Sequence, residues 1–305
     1  MAPSPVVVLA GGTGGAKLAR GMLDVTGPER LTVIANTADD AFVYGVHVSP
    51  DPDLVSYWLA GLIDERGYGI RGDSWSVMEA LEAAGRDTWF RLGDRDLATC
   101  LVRTQLLAAG ERLTDAHREA VRGLGVDAAV LPMCDEPVAT RVKREGEWRT
   151  FQEFMILDRA SGEIEAVEFH GIEAARPTSE VLAALAGAEA IVVGPSNPVV
   201  SIGPILALPG MRAAIADSPA PVVAVSPFVG GRAIKGPTEA FCAQAGLERS
   251  AAGIAAAYDD ILDGVVADEP AAGLPALELP TLMDGAGSRR ELAARTLDFA
   301  GSLGY

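Results

Sequence analysis

A glycine-rich segment near the N-terminus has residues suited to binding an anion. The β-branched residues Val6, Val7 and Val8 run into the sequence AGGTGGAK, which ends at Lys17. Glycine lets the backbone turn through positive φ and approach a ligand closely. The free N–H groups at the start of the helix that follows attract negative charge. We therefore predict phosphate contacts from Gly11, Gly12, Thr13, Gly14, Gly15 and Lys17.

The same segment departs from two familiar phosphate-binding patterns. The P-loop pattern requires a glycine before the lysine and a hydroxyl residue after it, where this chain has Ala16 and Leu18. The dinucleotide-binding pattern GxGxxG would place a glycine at Lys17. A plain tight turn, with glycines present for packing, is therefore the alternative interpretation.

Aspartates at two places could bind a divalent cation. Asp39 and Asp40 follow the apolar run LTVIAN, and Asp51 and Asp53 lie in SPDPD. Mg²⁺ typically takes one or two carboxylates together with phosphate oxygens of the substrate. One aspartate from each place could hold the ion, and helix capping is the alternative for the second pair. Our choice of ligands is Asp39 and Asp51, which leaves Asp40 as a candidate catalytic residue.

Polar residues also follow other apolar runs that we interpret as strands. In a parallel sheet the carboxyl ends of the strands lie along one edge, where ligands bind. We expect candidate binding residues to meet there. These are Asn36 at the end of LTVIAN, Ser196, Asn197 and Ser201 after AIVVG, and Arg232 and Lys235 after PVVAVS.

Arg95 lies between two aspartates in LGDRDLAT, at the start of a predicted helix. A positive side chain in the first turn opposes the helix dipole, so its presence needs a reason. One reason is a structural ion pair. The other is a ligand contact, because a guanidinium group can bind phosphate or ring carbonyls through two bonds.

Composition limits the class of protein. The chain has 305 residues, of which 49% are hydrophobic, and a formal net charge of −17. This charge argues against nucleic acid and anionic membranes as partners, so any phosphate must be held by backbone amides, a few cations or a metal. We expect no transmembrane helix and no signal peptide. Three scattered cysteines fit the reducing cytoplasm and not a structural zinc site.

Short β-branched runs alternate with helical patterns, which predicts a doubly wound, mostly parallel, Rossmann-like α/β sheet. We assign residues 1–305 to one domain, with an antiparallel β-rich insertion at about 138–175. Ser74, Thr114 and Ser288 are predicted helix N-caps, and 271–280 is predicted to be a loop. The other predicted strands lie at 31–36, 128–133, 190–194, 221–226 and 264–268. The predicted helices lie at 51–65, 74–84, 94–108, 114–123, 178–188, 238–245 and 288–300.

Taken together, these segments resemble the 2-phospho-L-lactate transferase family of coenzyme F-420 biosynthesis, whose actinobacterial members are phosphoenolpyruvate transferases. The resemblance runs from about residue 5 to at least residue 240. The motifs that carry it occur in the family's order: GGTGG, NTADD, SPDPD, LGDRDLAT, LPMCDEP, FQEF and GPSNPVVSIGPILALPGMR.

The resemblance implies a defined reaction. Such enzymes transfer a phosphoacid from its guanosine-diphosphate-activated form to the ribityl 5′-hydroxyl of the deazaflavin Fo and release GMP. It also implies Mg²⁺ and a homodimer, and it gives Asp53 and Arg95 the positions that contact Fo. Cys100 and Thr150 stand where relatives often have histidine. The resemblance therefore does not decide whether the phosphoacid is of the lactate, enolpyruvate or glycerate type.

Two other classes of protein share some of these sequence motifs. A UDP-sugar-binding regulatory family has a similar glycine loop and an ADD-like segment, but its later loop reads GPGSLYTS where this chain has GPSNPVVS at 194–201. A Rossmann oxidoreductase would have a third glycine in the loop and an acidic residue in place of Asn36 to hold ribose.

Overall fold

The computed structural model describes residues 4–234, 236–271 and 273–304 and contains one large parallel sheet. Its strands are rich in valine and isoleucine, which favour extended backbone, and those in the middle are buried on both faces. In spatial order the seven strands are β14 (Ala276–Glu278), β13 (Gly264–Ala267), β10 (Val222–Val225), β9 (Ala190–Val193), β1 (Val6–Ala10), β2 (Leu31–Ala35) and β5 (Ala129–Pro132). The doubly wound fold predicted from the sequence is confirmed.

Helices cover both faces of the sheet. They are α1 (Gly12–Thr26), α2 (Pro50–Leu59), α3 (Ser76–Ala83), α4 (Asp94–Ala108), α5 (Leu113–Arg122), α6 (Phe151–Ile156), α7 (Ser179–Ala186), α8 (Ile202–Ala207), α9 (Met211–Ala216), α10 (Thr238–Gln244), α11 (Ala251–Ala257) and α12 (Ala286–Leu303). Among the described residues, every helix is too short or too polar to span a lipid bilayer.

Alternate residues of β1 enter two separate apolar layers, as the period of a strand requires. Val6 and Val8 pack with residues of α1, α2 and α12. Val7 and Leu9 pack on the other face with residues of α7, α8, α9 and α11. The middle of the sheet is thereby shielded from water on both sides.

The order of the strands creates a crevice beside β1. From β1 the chain proceeds to β2 and β5 on one side of it, and later crosses to β9 on the other side. The loops that leave β1 and β9 therefore run in opposite directions, which opens space at the carboxyl ends of these strands. This is where a ligand site is expected in such a sheet.

In the part of the chain that the structure describes, three small antiparallel sheets are added to the core. A hairpin of β3 (Ala41–Val43) and β4 (Val46–Val48) precedes α2, and β11 (Phe228–Val229) pairs with β12 (Arg232–Ala233). The third sheet has the order β7 (Glu147–Thr150), β6 (Ala139–Arg144) and β8 (Ala166–His170). It confirms the antiparallel insertion predicted within 138–175.

Some predictions about individual elements are wrong. Residues 271–280 are not all loop, because β14 pairs with β13 at the edge of the sheet. The helix predicted over 51–65 ends at Leu59. Side chains of residues distant in sequence cap two of the helices with a predicted N-cap: Asp94 accepts from the Ser76 N–H, and Asp135 accepts from the Thr114 N–H inside α5.

Ser288 also lies inside its helix. It belongs to the first turn of α12, and its Oγ accepts a hydrogen bond from the Gly285 N–H at 3.0 Å. The N-cap of α12 is Gly285, and the prediction of Ser288 is wrong because a serine can bond to the helix start from within the first turn as well as from the N-cap.

We predict that Leu18→Ala will lower the free energy of unfolding by about 2–5 kcal/mol, because it leaves a cavity under α1. Leu18 is fully buried between this helix and the sheet. Val25→Ala, at a position 38% exposed on the same helix, is the matched control and should change stability by about 0.5 kcal/mol or less. Urea unfolding measures both. Equal losses would contradict the packing described here.

Candidate active site

A cavity of about 1140 Å³ lies at the carboxyl edge of the sheet, in the crevice beside β1. Most residues predicted for the site line it. They are Gly11, Gly12, Thr13, Gly14, Lys17, Asp39, Asp51, Asp53, Ser196, Asn197 and Ser201. The predicted residues outside its lining are Gly15, Asn36, Asp40, Arg95 and Arg232, and Lys235 lies outside the described residues.

The glycine loop packs directly on the loop that follows β9. A Cβ atom at Gly14 would lie 2.0 Å from the carbonyl oxygen of Pro195, and one at Gly15 would lie 2.6 Å from the Ser196 Oγ. Gly12 has a φ of +63°, which disfavours other residues. The packing interpretation therefore holds for Gly14 and Gly15. The start of α1 nevertheless faces the cavity with its amides and its dipole.

The predicted polar contacts of the two loops are partly used within the protein. The Ser196 Oγ accepts from the Gly11 N–H at 3.3 Å. The Asn197 Oδ1 accepts from the Val199 N–H at 2.9 Å and so shapes its own loop. Lys17 donates from Nζ to the Met283 carbonyl at 3.0 Å while lining the cavity.

Asp51 connects three segments of the chain. Its Oδ1 accepts from the Gly12 N–H at 2.6 Å, and its Oδ2 accepts from Asn36 Nδ2 at 3.0 Å. Burial raises the pKa of Asp51 to about 6, although these two hydrogen bonds act in the opposite direction. Asn36 lies outside the cavity lining and orients Asp51 through this hydrogen bond. Capping of α2 is not the role of Asp51, because its carboxylate bonds to other segments.

Asp39 is the neighbour of Asp51 in this cavity. Burial raises the pKa of Asp39 well above its usual range, and the charge of Asp51 raises it further. The Oδ1 of Asp39 is buried with no hydrogen-bond partner among the described residues. Two adjacent buried carboxylates with an unsatisfied oxygen fit a hard divalent cation. Asp40 instead accepts from the Ser49 Oγ at 2.8 Å, outside the cavity lining.

Asp53 belongs to a buried polar cluster that the sequence did not reveal. Arg103 on α4 is fully buried and forms an ion pair with Asp53. Burial raises the pKa of Asp53, and Arg103 acts against that rise. His117 Nδ1 lies 3.8 Å from Asp53 Oδ1, and burial together with Arg103 lowers the pKa of His117 well below its usual value. The histidine is therefore neutral near pH 7, and Arg103 is the counter-ion of Asp53.

The LGDRD motif joins α3 and α4 through reciprocal capping. Asp94 accepts from the Ser76 and Val77 N–H groups at the start of α3, each at 3.0 Å. Asp73 accepts from the Arg95 N–H at 2.9 Å at the start of α4. These bonds satisfy amides that the helices themselves leave free.

The side chains of this motif do not lie where we expected. Arg95 is exposed and its guanidinium contacts the Arg71 carbonyl at 3.3 Å, so it does not reach the cavity. Asp96 lines the cavity instead, and the Tyr57 hydroxyl donates to its Oδ1 at 2.7 Å. Asp96 and Arg103, seven residues apart, share one face of α4. That spacing was the signal available in the sequence.

A second group of potential metal ligands is chemically unsuitable for Mg²⁺. Oxygen atoms of Asp53 and Asp96 and the Cys100 sulfur lie within 4.8 Å of one another. Burial raises the pKa of the Cys100 thiol, which therefore keeps its proton, and thiols are poor ligands for hard cations. One Asp53 oxygen is already bound to Arg103. The pair of Asp39 and Asp51 is the better cation site.

Aromatic and arginine side chains form another part of the cavity wall. The guanidinium carbon of Arg66 lies 5.1 Å from the ring centre of Tyr68, and that of Arg91 lies 5.2 Å from that of Trp75. Trp89 also lines this wall. Such a surface suits a planar conjugated ring. Sequence reasoning missed it because these residues are spread over loops without a periodic pattern.

Comparison with known proteins gives the family. The family model of the 2-phospho-L-lactate transferase CofD matches residues 6–278. The chain is 40% identical to the phosphoenolpyruvate transferase of Kitasatospora aureofaciens over 97% of each protein. It is 37% identical to the 2-phospho-L-lactate transferase of Methanosarcina mazei over 87% of each. The chain belongs to the CofD family.

Membership in the CofD family confirms the resemblance found in the sequence and supports phosphoacid transfer in coenzyme F-420 biosynthesis. The fold is also found in a solved structure. A protein of the UPF0052 family from Bacillus halodurans superposes with a TM-score of 0.62 at 18% identity, over 96% of this chain and 99% of that one.

The two departures from the expected CofD pattern have different positions in the structure. Thr150 is the N-cap of α6 and forms a capping box with Glu153, so this residue has a structural role. Cys100 is buried on α4 next to Asp53 and Asp96. Cys100 thus lies beside two aspartates of the cavity lining, and Thr150 directly precedes the lining residues Phe151 and Gln152.

We predict that Arg103→Met will lower the free energy of unfolding by about 3–5 kcal/mol, because it leaves the Asp53 carboxylate buried without its partner. Denaturant unfolding measures this loss. Arg118→Met, which removes an exposed ion pair with Asp115, is the control and should cost about 1 kcal/mol or less. The double variant Asp53→Asn/Arg103→Met should lose less than the sum of its single changes. Additive losses would contradict a coupled pair.

Proposed function

We propose that the protein transfers a phosphoacid from its guanosine-diphosphate-activated form to the ribityl 5′-hydroxyl of Fo and releases GMP. The observation that supports this most strongly is the meeting of an amide-lined helix start and a buried aspartate pair in one large cavity. Phosphoryl transfer depends mainly on positioning and on charge stabilisation. The helix start and the aspartate pair would supply this positioning and this charge stabilisation.

In this proposal, the donor and the acceptor occupy different parts of the cavity. The amides at the start of α1, together with Lys17, would hold the diphosphate, and Ser196, Asn197 and Ser201 lie beside them for further donor contacts. The wall around Trp75 would take the deazaflavin ring. Asp40 and Arg95 have no part in this arrangement, because their side chains lie outside the cavity.

Asp39 and Asp51 would hold Mg²⁺. The bound ion would neutralise charge on the diphosphate and on the departing GMP. Asn36 and the Gly12 N–H fix the orientation of Asp51, so the site is arranged before the substrate enters. Because the chain has a net charge of −17, local neutralisation of this kind is needed to recruit a diphosphate.

A competition assay tests the reaction. Purified protein, Fo and Mg²⁺ are mixed with equal amounts of the guanosine-diphosphate-activated lactate, enolpyruvate and glycerate donors. Mass spectrometry then measures each Fo adduct and GMP. We expect one dominant adduct, formed in equal amount with GMP. Absence of every adduct would refute the proposal. Light scattering on the same sample tests the predicted homodimer.

We predict that Asp51→Asn will weaken Mn²⁺ binding, used here as a probe for Mg²⁺, by at least about tenfold, because it removes a charged ligand. Electron paramagnetic resonance of free Mn²⁺ measures the binding directly, without turnover. Asp24→Asn, at a half-buried ion pair on α1 outside the cavity lining, is the control and should bind as the wild type does. Unchanged binding by Asp51→Asn would remove this residue from the cation site.

A further inference from the structure

Five carboxylates line the cavity among the described residues: Asp39, Asp51, Asp53, Asp73 and Asp96. Four of them already have a defined partner or role. Asp39 and Asp51 form the cation site, Asp53 is ion-paired with Arg103, and Asp73 caps α4. Asp96 differs, because its side-chain partner is the neutral hydroxyl of Tyr57 at 2.7 Å.

The position of Asp96 suits contact with a substrate. It lies at the start of α4, partly exposed to the cavity, on the same face of the helix as the buried Arg103. One of its oxygens lies within 4.8 Å of an Asp53 oxygen. Tyr57 fixes one oxygen of the carboxylate and thereby orients the group. The side chain is thus held in place in the lining of the cavity.

We propose that Asp96 is the general base of the transfer, a role that rests on the function proposed above. The 5′-oxygen of Fo forms a bond to the phosphorus of the phosphoacid. The bond from that phosphorus to the GMP oxygen breaks, and its electron pair leaves with GMP. The proton of the 5′-hydroxyl passes to the carboxylate of Asp96 and then to water. No oxidant, reductant or further reactant is required.

The surroundings of Asp96 adjust its basicity. Burial raises its pKa to about 7, and the negative charges of Asp53 and Asp73 act in the same direction. The Tyr57 hydrogen bond and the charge of Arg103 lower it. Cys100 also faces this cluster and stays a neutral thiol. A base is most effective when its pKa lies near the working pH.

The sign of the pH dependence follows from this pKa. Above pH 7 Asp96 is ionised and can accept the proton, whereas below pH 7 it is protonated and inactive. The rate of the wild type should therefore fall tenfold per pH unit on the acid side. Tyr57→Phe removes a bond that favours the ionised form, so it should move this acid limb to higher pH.

Single-turnover measurements of the Fo adduct test the assignment, since product release does not enter them. We expect Asp96→Asn to lower the rate at pH 8 by about 100-fold or more. The Fo concentration that gives half-saturation should change by about threefold or less, because a general base acts in the transition state. The part of the acid limb that begins near pH 7 should disappear in this variant, whereas a loss of rate from protonation of Asp51, whose pKa is about 6, should stay. Asp259→Asn, at an exposed position away from the cavity, should behave as the wild type.

Thermal unfolding separates the catalytic role from a structural one. Burial disfavours the ionised form of Asp96 in the folded protein, so at pH 8 the Asp96→Asn variant should unfold at or above the temperature of the wild type. A folded variant with a rate within threefold of the wild type, or with an unchanged acid limb, would overturn the assignment alone. A wild type that forms no adduct with any donor would overturn the proposed function and this inference together.

Discussion

The hydrogen bonds of Asp51 are the contacts on which the arrangement of the site depends. One oxygen binds the Gly12 amide at the start of α1, and the other binds Asn36 at the end of β2. Asp51 itself lies in the first turn of α2. Hydrogen bonds to a charged group are stronger than neutral ones, at about 1.5–3 kcal/mol each. A single carboxylate therefore fixes three segments relative to one another.

The second requirement is the close approach of two loops beside β1. The glycine loop and the Pro195 loop pack with so little space that a Cβ at Gly14 would overlap the Pro195 carbonyl. This packing brings the start of α1 and Ser196 to one wall of the cavity. The glycines thus allow the two loops to meet at the cavity, and they would serve the proposed anion site indirectly.

The polar residues then divide into two groups with different physical roles. Asn36, Arg103 and Asp73 hold other residues in position through hydrogen bonds within the protein. Their partners are Asp51, Asp53 and the Arg95 N–H, in that order. Asp39 and Asp96 face the cavity and keep raised pKa values through burial. Burying a carboxylate without a cation is costly, which makes both aspartates candidates for contact with a ligand or for a part in the reaction.

Much of this could be predicted from the chain alone. The alternation of apolar runs with helical patterns determined the parallel sheet, and the loops at the strand ends indicated the site, because both depend on local spacing. The sequence motifs also determined the family. What only the tertiary structure decided is where each charged side chain points. Arg95 was expected in the cavity, yet Asp96 lies there, and Arg103 pairs with Asp53 fifty residues away. Burial and pairing depend on contacts between distant segments, and no local pattern of residues encodes them.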